Sequence, residues 1–119
     1  MLTIAAIIIF AAGLTHSYLG EKYILIRLFK RDNIPHLMGS DEFTKGTLRF
    51  CWHITSVFWF GLAVILAFQE GHTSLLLNTI GTVSSMSALL AAYFTKGKHL
   101  SWIALGAVGV LCFLSAANA

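Results

Sequence analysis

The first twenty residues, MLTIAAIIIFAAGLTHSYLG, contain no Asp, Glu, Lys or Arg. Three further stretches are almost as free of charge: about 48–68, about 74–94 and about 100–117. Each approaches the roughly 20 apolar residues that cross a bilayer as a helix. Lipid offers no partner to backbone N–H and C=O groups, so only helices and closed barrels span it. These runs do not alternate apolar and polar residues, which argues against a barrel. The reading is an all-α chain, an integral membrane four-helix bundle. Its helices are expected over about 2–31, 41–69, 73–94 and 100–117. About the first 20 residues of the first helix lie in the membrane, and 32–40 form a cytoplasmic connection. The first stretch lacks the basic n-region of a signal peptide and is read as a retained span. Composition agrees: 57% of the chain is hydrophobic and 11% charged, against about 25% charged in soluble domains.

The charges then set an orientation. Lys22, Arg27, Lys30, Arg31, Lys45 and Arg49 lie in or beside the first connection, and Lys96 and Lys98 in the third. The second connection, Gln69-Glu70-Gly71-His72, has no basic residue. By the positive-inside rule the first and third connections are cytoplasmic and both termini face the periplasmic side of a bacterial inner membrane. The net charge of +3 is thus a topology signal with some attraction to anionic lipid, and calls for no nucleic acid. Cys51 and Cys112 fall in opposite leaflets on this topology, so no disulfide is expected between them.

Local signals refine the helices. KYILIRLFKR, residues 22–31, mixes apolar and basic groups so that the cations reach the headgroups while Ile24, Leu25 and Leu28 stay in lipid. Pro35 biases Ile34 away from helix. Ser40 or Asp41 is placed to cap the second helix, with Glu42 near its positive end. Small or amide-bearing residues mark the packing faces: Gly13 and Gly20 on the first helix, Asn78, Gly81 and Ser85 on the third, Gly106 and Gly109 on the fourth. Asn78 is expected to hydrogen-bond between helices. TKGTLRFCW (44–52) and TKGKHLSW (95–102) hint at two duplicated hairpins.

One polar layer interrupts the apolar pattern. Glu21 lies five residues past His16, about 7.5 Å along the axis, and Arg49 lies four before His53, about 6 Å. With the first two helices antiparallel, His16 matches His53 in depth and Glu21 matches Arg49. Ser17 and Ser56 lie beside the histidines. Ionisable residues inside a membrane are functional candidates by default. The layer therefore has three readings: a register-fixing salt bridge with hydrogen-bonded imidazoles, a haem b or metal site on His16 and His53, or a polar path for a proton or small solute. His16 and Glu21 are about 140° apart around an α-helix, so both cannot face the second helix squarely. His36, His72 and His99 sit in connections and read as headgroup-level residues. Trp52, Trp59 and Trp102 read as interface belt and lipid-facing mass. The chain contains no GxSxG, HExxH or phosphate-binding glycine loop, and no catalytic residue is assigned.

The size and helix count are similar to those of the small multidrug resistance transporters, but the glutamate that family carries in the middle of its first helix has no counterpart, since Glu21 stands at the end. The HSxLGE segment (His16–Glu21) and the RxxWHxTS segment (Arg49–Ser56) resemble those of small bacterial four-helix integral membrane proteins. That resemblance implies the fold and carries no activity. The expected function is a small accessory or scaffold subunit that works through helix contacts, with itself or with a larger membrane partner. A bis-histidine redox protein and a small transporter are the alternatives.

Overall fold

The computed structural model describes residues 1–68, 70, 71, 73–95, 97 and 100–118. The described residues are all-helical, with four helices and no strand. Helix α1 runs Leu2–Leu28, α2 Glu42–Phe68, α3 Ser74–Thr95 and α4 Ser101–Ala117. Among the described residues α1 and α2, 27 residues each, are long and apolar enough to cross a membrane; α4 is apolar but shorter. His72, His99, Lys96 and Lys98, assigned above to connections, lie outside the described residues.

Helix α1 ends sooner than the KYILIRLFKR pattern suggests. Its ladder closes at Leu28, and Lys30 and Arg31 bond three residues back, to Arg27 and Leu28, in a tightening final turn. The connection is ordered by its own hydrogen bonds. Leu37 and Ser40 exchange backbone bonds of 3.0 and 3.3 Å across Met38-Gly39, both at positive φ (54° and 90°). The Thr44 hydroxyl donates to the Pro35 carbonyl at 2.8 Å, and Ile34 is buried. The loop is thereby tied to the first turn of α2. Ser40 accepts the Glu42 N–H there at 3.3 Å, and Asp41 pairs with Lys45 at 2.7 Å.

Helix α1 packs between α2 and α4, and α3 packs on α4; among the described residues the backbones of α2 and α3 do not come together. The core gathers at one end, where α1 and α3 begin and α2 and α4 finish. Ala5, Ala6 and Ile9 meet Ala63, Leu66, Leu77, Ile80, Val108 and Cys112 there. The contacts depend on missing side chains. A Cβ on Gly13 would stand 2.6 Å from the Phe60 ring, and one on Gly81 2.9 Å from Phe113. Gly109 lies against Ser85 and the Gly81 carbonyl, while Gly106 is in ordinary contact with Ala88. Asn78 departs from its expected role: it is exposed. The buried face of α3 is Leu77, Ile80, Ser84 and Ala88, joined by Gly81. Asn78 sits about 100° around from Leu77. Cys51 is exposed and Cys112 buried, both as free thiols.

A candidate polar site between the first two helices

At the other end α1 changes its winding. Residues Gly20–Leu25 form a π-helical segment. The Gly20 N–H bonds the carbonyls of both His16 and Ser17, and the Ile26 N–H reaches back five residues to Glu21. Such wide turns occur mostly as single insertions in α-helices and cluster at functional sites. Trp52 of α2 fills the space here. Its indole lies against Gly20, where a Cβ would collide with it, and its N–H donates to the His16 carbonyl at 3.0 Å. Glycine is thus required at position 20 by close approach.

Glu21 is the hub of the site. Arg49 binds it through Nη2 at 2.8 Å and Nε at 3.1 and 3.2 Å, a two-pronged geometry that suits guanidinium and carboxylate. His53 approaches the other side, with Nε2 3.0 Å from Glu21 Oε2. The second ring nitrogen, Nδ1, lies 2.9 Å from Ser17 Oγ. Ser17 Oγ in turn lies 2.8 Å from Ser56 Oγ, and Ser56 is buried, 1% exposed. One continuous chain therefore runs from a half-exposed ion pair to the interior: Arg49, Glu21, His53, Ser17, Ser56.

Helical spacing explains the membership. Ser17 and Glu21 are four residues apart on α1; Arg49, His53 and Ser56 are spaced by four and three on α2. Both sets form single faces. The structure joins Glu21 to Arg49, the pair matched by depth. It gives the two histidines different neighbours. His53 belongs to the chain, whereas the His16 ring stacks on Trp52 (centroids 4.6 Å apart, planes 4° apart) and meets Trp59 at 5.2 Å. His16 is one residue, about 100°, away from Ser17; both reach α2, His16 at the Trp52 and Trp59 indoles and Ser17 at His53 and Ser56. Depth does not choose between them, whereas the i, i+4 spacing of Ser17 and Glu21 puts Ser17 beside the ion pair. Trp52, expected in the interface belt, lies between His16 and Gly20 and is part of the site.

The chemistry follows from hydrogen-bond bookkeeping. With Glu21 as carboxylate, His53 Nε2 carries hydrogen. Nδ1 then either accepts from Ser17 or, in the imidazolium, donates to it. The two hydroxyls can turn to suit either state, because each both donates and accepts. Haem ligation by His53 would need one ring nitrogen for the iron, and both are within hydrogen-bond distance of side-chain oxygens. These residues do not fit a bis-histidine haem. Among the described residues no group of three or more His, Cys, Asp or Glu could hold a metal ion.

A collar of cations over aromatic rings surrounds the site. Arg49 lies 5.0 Å from the Phe29 centroid, Lys22 lies 5.5 and 5.3 Å from Tyr18 and Tyr23, and Arg27 lies 5.5 Å from Tyr23. No family model matches the chain, and no curated protein or solved structure matches it.

Proposed function

We propose that this chain is a small polytopic protein of a bacterial inner membrane, with four spans and with both ends of this sequence on the outer side. On this reading it serves as an accessory or scaffold subunit through helix contacts. The observation that carries the reading is that every helix keeps large apolar side chains exposed. Ile7 is 64% exposed, Phe58 68%, Leu89 70% and Val110 57%. A water-soluble monomer rarely exposes contiguous apolar surface on this scale; in a bilayer these faces meet lipid or another helix. The exposed face of α3 also carries Asn78 and Thr82, polar groups that favour a helix partner over hydrocarbon. The cationic collar suits the headgroup layer, and the α1–α2 site fixes the register of that hairpin.

A thiol crosslinker applied to native membranes containing the Asn78→Cys, Cys51→Ser, Cys112→Ala protein tests the contact role. The expected product is a discrete larger species, a dimer or a heteromeric complex. Only monomer, at labelling levels that show the thiol is reactive, would count against the scaffold.

One observation favours a second reading. The chain of hydrogen bonds from Glu21 to Ser56 is continuous and includes a titratable ring, which suits a proton-handling protein. Its interior end is the buried Ser56, so the chain supports a proton-binding site more than a path through the molecule.

A further inference from the structure

The π-helical turn also regroups the cations of α1. In a continuous α-helix residues 22 and 27 would stand about 140° apart. The winding slips between them, where the Ile26 N–H reaches back five residues to the Glu21 carbonyl. Lys22 and Arg27 converge on one ring, with Lys22 Nζ 5.3 Å and Arg27 Cζ 5.5 Å from the Tyr23 centroid. Lys22 Nζ also donates to the Tyr18 hydroxyl at 3.4 Å. That phenol keeps its own hydrogen to donate.

Neither cation has an acid beside it. All five Asp and Glu of the chain are among the described residues. Glu21 is turned to Arg49 and His53 of α2, and Asp41 pairs with Lys45. The α2 cations are therefore neutralised, whereas Lys22 and Arg27 stand exposed and unpaired with any carboxylate. From Tyr18 toward the core end, Leu14, Ala11 and Ile7 are exposed too. Their spacing of four, three and four makes one strip of the helix. Positive charge above an apolar strip is the complement of an anionic lipid.

We propose that Lys22, Arg27, Tyr18 and Tyr23 hold the phosphodiester of an anionic phospholipid, with an acyl chain along Leu14 and Ile7. The two cations give charge-assisted hydrogen bonds to the phosphate oxygens. Their seating over Tyr23 orders long side chains in advance and so lowers the entropy cost of binding. A headgroup with its own ammonium brings a third cation to the pair, so glycerol is favoured over choline. The site rests on the membrane reading above, and adds a defined contact to the diffuse attraction of a basic segment for anionic lipid.

The test extracts the full chain from vesicles of phosphatidylglycerol and phosphatidylcholine into mild detergent. Native mass spectrometry then counts the lipid retained. Phosphatidylglycerol should be retained in preference to phosphatidylcholine. Lys22→Gln and Arg27→Gln should each lower its retention about five-fold. Tyr23→Leu, which leaves the charge unchanged, should lower it about three-fold. Lys30→Gln, an equal loss of charge outside the pair, should leave it unchanged. All four side chains are exposed, so folding is not at stake. Equal losses in Lys22→Gln and Lys30→Gln would overturn the site in favour of diffuse attraction. Displacement by inorganic phosphate as effective as by short-chain phosphatidylglycerol would make a free anion the occupant and overturn the lipid. Protein that never enters vesicles would remove the membrane reading itself.

Discussion

Glu21 is bound by two cationic-capable groups from one neighbouring helix, and that arrangement decides what its replacement should do. Its side chain is 29% exposed, and those of Arg49 and His53 are 47% and 35% exposed. Solvent screens a pair this open, so the ion pair holds geometry more than it supplies stability. A double-mutant cycle with Glu21→Gln and Arg49→Gln, read by denaturation in detergent, should give a coupling of about 0.5–1 kcal/mol. A coupling of zero would mean that the two-pronged contact contributes nothing in solution. The His53→Ala change should cost more than its own contacts suggest, because Ser17 and Ser56 lose the group that completes their chain. The cycle and that variant together separate the ion pair from the hydrogen-bonded interior of the site.

The elements meet most tightly where α1 winds into its π-helical turn. Gly20 admits the Trp52 indole there, and the ladder slips from four residues to five. Gly20→Ala forces an indole and a backbone apart and should destabilise the fold by about 1–3 kcal/mol. Gly46 provides the control, since nothing lies within 4 Å of an added Cβ. Gly46→Ala in the first turns of α2 should stabilise by about 0.5–1 kcal/mol through helix propensity alone. Thermal melts of both variants check the pair, and equal effects would remove the special role of Gly20. Much of this element scale can be read from sequence. Charge-free runs mark helices, Pro35 marks the connection, and the depth match brings Glu21 to Arg49. The π turn cannot be read in this way, because GEKYIL contains nothing that distinguishes it from a continuing α-helix; the wide turn fits the space beside Trp52. The same limit explains His16. Depth is a one-dimensional quantity, whereas contact also needs azimuth, and one residue of azimuth separates the Ser17 hydroxyl that meets His53 from the His16 ring that stacks on Trp52. Asn78 fails the small-residue stripe for that reason too: Leu77, its neighbour, takes the buried place.

At the scale of the molecule, small residues set how the helices are arranged. Gly13 and Gly20 bring α1 onto α2, and Gly81, Ser85 and Gly109 bring α3 onto α4. The two hairpins then join through α1 and α4 around a shared core at one end. The helix backbones make contact in the order α2–α1–α4–α3 among the described residues, and all four helices contribute side chains to that core. On the membrane reading proposed above, apolar burial contributes little to helix association, because hydrocarbon already surrounds the helices, and close packing and hydrogen bonds then carry the architecture. A cleft of about 460 Å³ lies between α1 and α4, and α3 keeps Asn78, Thr82, Val83 and Leu89 exposed. That face of α3 and the Lys22–Arg27 pair acquire a use only if the chain lies in a bilayer in the orientation its charges specify.

Single-cysteine labelling in intact cells tests that orientation directly. In a background lacking Cys51 and Cys112, Met38→Cys, Glu70→Cys and Asn118→Cys are treated with a membrane-impermeant maleimide before and after the inner membrane is opened. Glu70→Cys and Asn118→Cys should react from outside, and Met38→Cys only after opening. Reaction of Met38→Cys from outside, or recovery of the protein in the soluble fraction, would contradict it.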